Sequence, residues 1–104
     1  MVAYLIVDIN VADRSKFKKY ARAVQGTVEA FGGRYLCKWG VPETLEGKWD
    51  ASRIVIVEFT TAEQAKAWWV SEEYRPLKAL RREASTTRVL LVDDIWELGS
   101  ALDI

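Results

Sequence analysis

The chain contains no histidine. That absence excludes Ser-His and Cys-His nucleophile pairs. It also removes the commonest zinc ligand and the usual proximal ligand of haem. Any acid–base chemistry must therefore come from Asp, Glu, Tyr, Lys or Cys, and the reading includes no metal and no cofactor. Cysteine is almost absent as well. Cys37 stands alone and cannot close an internal disulfide, so nothing points to a stapled, secreted domain. Net charge is missing too, with 15 basic residues against 15 acidic ones. Balanced charge speaks against a general nucleic-acid binder and against strong attraction to anionic membranes. No apolar run approaches the roughly 20 residues that span a bilayer. The first residues show neither a charged leader region nor a small-residue cleavage site. The expectation is a soluble, cytoplasmic protein.

What is present is a chain of 104 residues, half of them hydrophobic, which suits one folded domain. A core this small is modest, so oligomerisation is a natural source of further burial. Residues 1–95 are read as the domain, and residues 96–104 as a tail that is a candidate for a dimer contact. Ala3 to Asn10 alternates as a strand, with Ala3, Leu5, Val7 and Ile9 on one face and Tyr4, Ile6, Asp8 and Asn10 on the other. Asp13 suits an N-cap. Phe17, Tyr20, Ala21, Val24, Val28 and Phe31 then fall at helical spacing, and Gly32-Gly33 ends that helix.

Arg34 to Trp39 alternates as a second strand. A long connection with Pro42 and Gly47 leads to Ile54 to Phe59, the most apolar strand. Thr61 caps a second helical region that breaks near Ser71, itself a fresh cap before Glu72 and Glu73. Thr87 to Ile95 is a fourth strand. The order β-α-β-β-α-β is the ferredoxin-like plan, an α+β fold with helices on one face of the sheet. The other face is far from polar: Tyr4, Ile6, Ile54, Ile56, Leu90 and Val92 map to it. A patch of that kind usually marks an interface, and the prediction is a homodimer with two sheets face to face.

Three stretches carry a family resemblance: Gly32-Gly33-Arg34-Tyr35-Leu36, Leu45-Glu46-Gly47-Lys48-Trp49, and Arg53-Ile54-Val55-Ile56-Val57-Glu58-Phe59. Ala65 to Trp68, Ser71-Glu72-Glu73-Tyr74 and Leu77 to Arg81 continue it. Together they resemble the DUF1330 family of the dimeric α/β-barrel superfamily, over roughly Ala3 to Asp93. The resemblance implies a ferredoxin-like dimer but no particular activity. Superfamily relatives include haem-degrading and quinone-forming monooxygenases alongside proteins of no known chemistry. The chain departs from the family pattern at Lys38-Trp39-Gly40 and at Glu72.

In a sheet of order 4-1-3-2 the first and third strands are expected as parallel central neighbours. Asp8 and Glu58 would then share one end of the helix-free face, with Arg88 and Tyr35 close by. Paired carboxylates raise one pKa and make an acid or base near neutral pH. Arg88 or Arg53 could hold an anionic group. The alternative is a salt-bridge network that finishes the sheet or the interface. Trp49 is either a lid over such a pocket or an anchor for its loop. Tyr74 either offers its hydroxyl to a ligand or simply packs. Ser71 reads as a cap, and Cys37 as a small buried residue. Three functions stay open: a small-molecule-binding homodimer with its cavity between the sheets, a cofactor-free monooxygenase or isomerase with Glu58 or Asp8 as base, and a structural dimer without ligand.

Overall fold

The computed structural model describes residues 1–96. The elements run β1 (Ala3–Val11), α1 (Arg14–Ala30), β2 (Arg34–Gly40), β3 (Arg53–Phe59), α2 (Ala62–Trp69), α3 (Arg75–Ala84) and β4 (Ser85–Asp93). Beyond Trp96, the tail read from the sequence as a dimer contact lies outside the described residues.

Local chemistry sets the helix ends. The Asp13 carboxylate accepts the Lys16 N–H at 3.1 Å, and Thr61 Oγ1 accepts the Gln64 N–H at 3.1 Å. Ser71 Oγ accepts the Tyr74 N–H and begins the turn that separates α2 from α3. At the end of α1 the Gly32 N–H reaches Glu29 O and the Gly33 N–H reaches Val28 O. This paired closure needs a left-handed residue, and Gly32 supplies it with φ +82°.

The sheet has the order β2-β3-β1-β4, and every neighbouring pair is antiparallel. The central neighbours are thus as expected, but their direction is not. The crossover through α1 returns β2 parallel to β1, and the loop 41–52 then reverses the chain, so β3 runs against β1. The helices cover one face. There Leu5, Ile9, Val55, Val57 and Phe59 pack against Tyr20, Val24, Val28 and Trp68.

The helix-free face is ordered in rows across the strands. Ile56, Ile6 and Leu90 form the middle row. Ile54, Asp8 and Arg88 form the row at one end, and Arg34, Glu58, Tyr4 and Val92 the row at the other. Leu90 is 64% exposed and Val92 is exposed beside it on β4, while Leu36 is exposed on β2 at the opposite edge of the sheet.

Strand β2 breaks the simple alternation. Its register against β3 shifts between Tyr35 and Cys37 and again between Cys37 and Gly40. Each shift adds a residue to β2. As a result Lys38 and Trp39, which are adjacent in the chain, both turn to the helix side. Lys38 Nζ reaches Gln25 Oε1 on α1 at 3.3 Å, and the Trp39 ring lies 5.6 Å from that of Phe17.

Candidate functional site

The antiparallel register separates the two carboxylates singled out from the sequence. Asp8 sits opposite Ile54, and Glu58 sits opposite Tyr4. The two rows are four strand positions, or about 13 Å, apart. Each carboxylate has its own arginine: Arg88 Nη2 donates to Asp8 at 2.6 Å, and Arg34 Nε donates to Glu58 at 2.7 Å. Arg88 is therefore beside Asp8 as expected. Tyr35 is not; it lies at the Glu58 end and on the helix side.

The Asp8 pKa also moves the opposite way from the expectation for paired carboxylates. The Arg88 guanidinium, and then the Ser52 N–H at 2.9 Å, hold the Asp8 carboxyl below the usual carboxylate range. A depressed folded-state pKa stabilises the fold above the unfolded value of about 4. That contribution is lost as pH falls through the folded value. Asp8→Asn should therefore be less stable than wild type at neutral pH, and the gap should close below about pH 4. Urea midpoints measured across that range check this. A gap that stays constant with pH would show that the pair adds no linked stability.

The remaining residues scatter. Arg53 begins β3 opposite Ile9, and its Nη1 donates to the Ser52 carbonyl. Trp49 is 72% exposed in the loop 41–52, which is tied by a bond from Thr44 Oγ1 to the Trp49 carbonyl. With Leu45 it rims a concavity of about 450 Å³ above Ile6 and Ile54 on the helix-free face. Tyr74 is on the other side of the sheet, wholly buried under the helices.

Tyr74 and Tyr35 instead meet around a cavity of about 150 Å³ between the sheet and the helices. Its floor is aliphatic, from Leu5, Val7, Val55 and Val57. Its walls are aromatic: Tyr20, Tyr35, Trp68, Trp69 and Tyr74. Trp68 stacks on Tyr74 with ring centroids 3.9 Å apart, and Trp68 Nε1 is anchored on Thr27 Oγ1 at 3.0 Å. Exposed Gln25, Lys38 and Trp39 mark the opening, at the β2 edge. The Tyr20 and Tyr74 hydroxyls are 3.2 Å apart, and Arg81 Nε donates to Tyr74 Oη at 3.2 Å.

Burial, with Tyr74 close by, pushes the Tyr20 pKa well above its ordinary value, and burial pushes Tyr35 up to about 12. These phenols stay protonated at neutral pH and are able to donate a hydrogen bond. No carboxylate lines the cavity among the described residues.

Sequence reasoning placed Arg81 within a family stretch but missed it as a site residue. A signal was there: Tyr74, Leu77, Arg81 and Ala84 follow one another at helical spacing, which puts the arginine on the buried stripe of α3. Among the described residues no three His, Cys, Asp or Glu side chains cluster to hold a metal ion, and no helix is long and apolar enough to cross a membrane.

The sequence profile described as a domain of unknown function, DUF1330, matches residues 2–95. The chain belongs to the DUF1330 family. No curated protein matches it. Among solved structures, this DUF1330 chain is similar to a protein of unknown function from Rhodopseudomonas palustris, at 15% identity and a TM-score of 0.69, covering 90% of this chain and 82% of that one. It is similar to SnoaB, a cofactor-independent oxygenase from Streptomyces nogalater, at 13% identity and a TM-score of 0.66, covering 89% and 92%. It is also similar to a dimeric ferredoxin-like protein of unknown function from Jannaschia sp. CCS1, at 12% identity and a TM-score of 0.64, covering 90% and 100%. At these identities the likeness speaks to the fold, which is α+β and ferredoxin-like.

Proposed function

We propose that this DUF1330 protein is a homodimer that binds a small aromatic molecule in the cavity between sheet and helices of each protomer. The observation that carries the reading is the aromatic-walled cavity of about 150 Å³. A cavity of about that size, lined by apolar side chains, holds one benzene ring. The tyrosine hydroxyls add polar contacts at fixed positions, as ligand sites do.

The sequence reading put the ligand between two sheets. The helix–sheet cavity is the better site because its walls are already in place within one protomer. The helix-free face then serves the second copy. Its middle row of Ile56, Ile6 and Leu90 is apolar. The dimeric ferredoxin-like relative from Jannaschia supports that arrangement. The similarity to a cofactor-independent oxygenase supports an enzymatic variant of the same reading. With Glu58 or Asp8 as base, such chemistry would have to occur on the helix-free face, where each carboxylate is held in an ion pair.

Native mass spectrometry and a p-cresol titration test the proposal. The expected results are a dimer, and a saturable change in tryptophan fluorescence from Trp68 and Trp69. A monomer at micromolar concentration would overturn the assembly. A response linear in p-cresol would overturn the cavity as a binding site.

A further inference from the structure

Among the described residues, a charge enclosed by the aromatic cavity has no partner of opposite sign. Arg81 is 3% exposed. Its Nε donates to Tyr74 Oη and its Nη1 to Thr87 Oγ1, both neutral acceptors. Among the described residues it makes no ion pair, and Nη2 takes no hydrogen bond. A guanidinium does not lose its proton in proteins, so the charge cannot be relieved by titration. Buried charges are ordinarily paired or hydrogen-bonded to charged groups, because taking an ion out of water is costly.

The surroundings sharpen the imbalance. Among the described residues the cavity is lined by two cations, Arg81 and Lys38, and by no carboxylate. Lys38 at the entrance donates, among the described residues, to a neutral amide, Gln25, and to no carboxylate. Lys78 sits 4.1 Å from the centre of the Trp69 ring, and burial together with Arg82 and Arg81 lowers its pKa. Positive charge thus brackets an apolar, ring-sized space from its mouth to its interior.

We infer that the ligand is a single-ring aromatic carboxylate whose anionic group pairs with Arg81. This rests on the cavity reading above and specifies its ligand class. The two N–H groups of Nη2 are the open donors, and a carboxylate oxygen can accept a charge-assisted hydrogen bond there. The Tyr20 and Tyr74 hydroxyls sit beside it to complete the polar end. The aromatic walls take the ring, and Lys38 attracts the anion at the entrance.

The test compares benzoate with benzamide, which has the same shape and no charge. Isothermal titration is run on the whole protein at neutral pH and moderate salt. Benzoate should bind at least about tenfold more tightly than benzamide, the scale of a hydrogen bond to a charged group. In Arg81→Met that preference should disappear. A side chain that only braces α3 against β4 would leave the benzoate-to-benzamide ratio unchanged. If Arg81→Met does not fold, the wild-type ratio still decides. Equal binding of the two probes overturns the carboxylate assignment and leaves the aromatic cavity standing. Absence of binding by both probes and by p-cresol overturns the cavity reading and this inference together.

Discussion

Phe59→Ala should lower the unfolding free energy by about 3–5 kcal/mol, among the largest losses expected from a single core truncation. Phe59 is fully buried at the end of β3. Its ring packs on Trp68 with centroids 5.8 Å apart. On its other side the backbone of Gly33 comes so close that a Cβ there would lie 2.9 Å from the ring and 2.6 Å from Val28. That backbone is fixed by the closing bonds of α1, so it cannot collapse into the space the ring would leave. The hole persists, and the upper part of the range applies. Thermal unfolding should move down by about 12 °C or more. Because Trp68 walls the cavity, p-cresol binding should weaken too. Urea titration followed by circular dichroism checks the first effect. A loss below about 1.5 kcal/mol would mean that the neighbours close the gap freely.

Ile6→Lys should dissociate the proposed homodimer while leaving each protomer folded. Ile6 is the centre of the middle row on the helix-free face, directly between Ile56 and Leu90. Two copies of a C2 dimer present the same patch to each other, so one substitution changes both sides of the contact. Losing two buried isoleucines and adding two like charges should raise the dissociation constant by about 100-fold or more. The side chain stands on the face away from the core, so the monomer keeps its packing. Sedimentation equilibrium measures the first effect, and circular dichroism the second. An unchanged dimer would place the contact on another surface. The same variant should still bind p-cresol, because the cavity lies across the sheet.

Much of this architecture was legible because short-range chemistry fixes it. Asp13, Thr61 and the Gly32-Gly33 pair mark helix ends through single hydrogen bonds or one backbone angle, and all were found where the sequence put them. The apolar helix-free face followed from alternation along β1, β3 and β4. Relative strand direction is different, since it depends on how many reversals the connections make. Reading β1 and β3 as parallel brought Asp8 and Glu58 together, and the real register parts them.

Arg81 was hidden by its own chemistry. A charged side chain on a helix normally reads as solvated, and only its position on the Tyr74 stripe speaks for burial. Tyr35 and Tyr74 were recognised as candidates, but a cavity formed by three helices and a sheet is a property of their packing. No local pattern encodes it.

The register shifts in β2 have a further meaning. In a regular strand a cation and an indole at adjacent positions face opposite ways. Here one added residue lets Lys38 and Trp39 stand side by side at the same doorway. The entrance is thus a matter of counting as much as of residue type. In other members of the family, the number of residues between the counterparts of Tyr35 and Gly40 would tell whether the door opens onto the cavity. An alignment that preserved every side chain but closed that spacing would describe a protein with the same room and no way in.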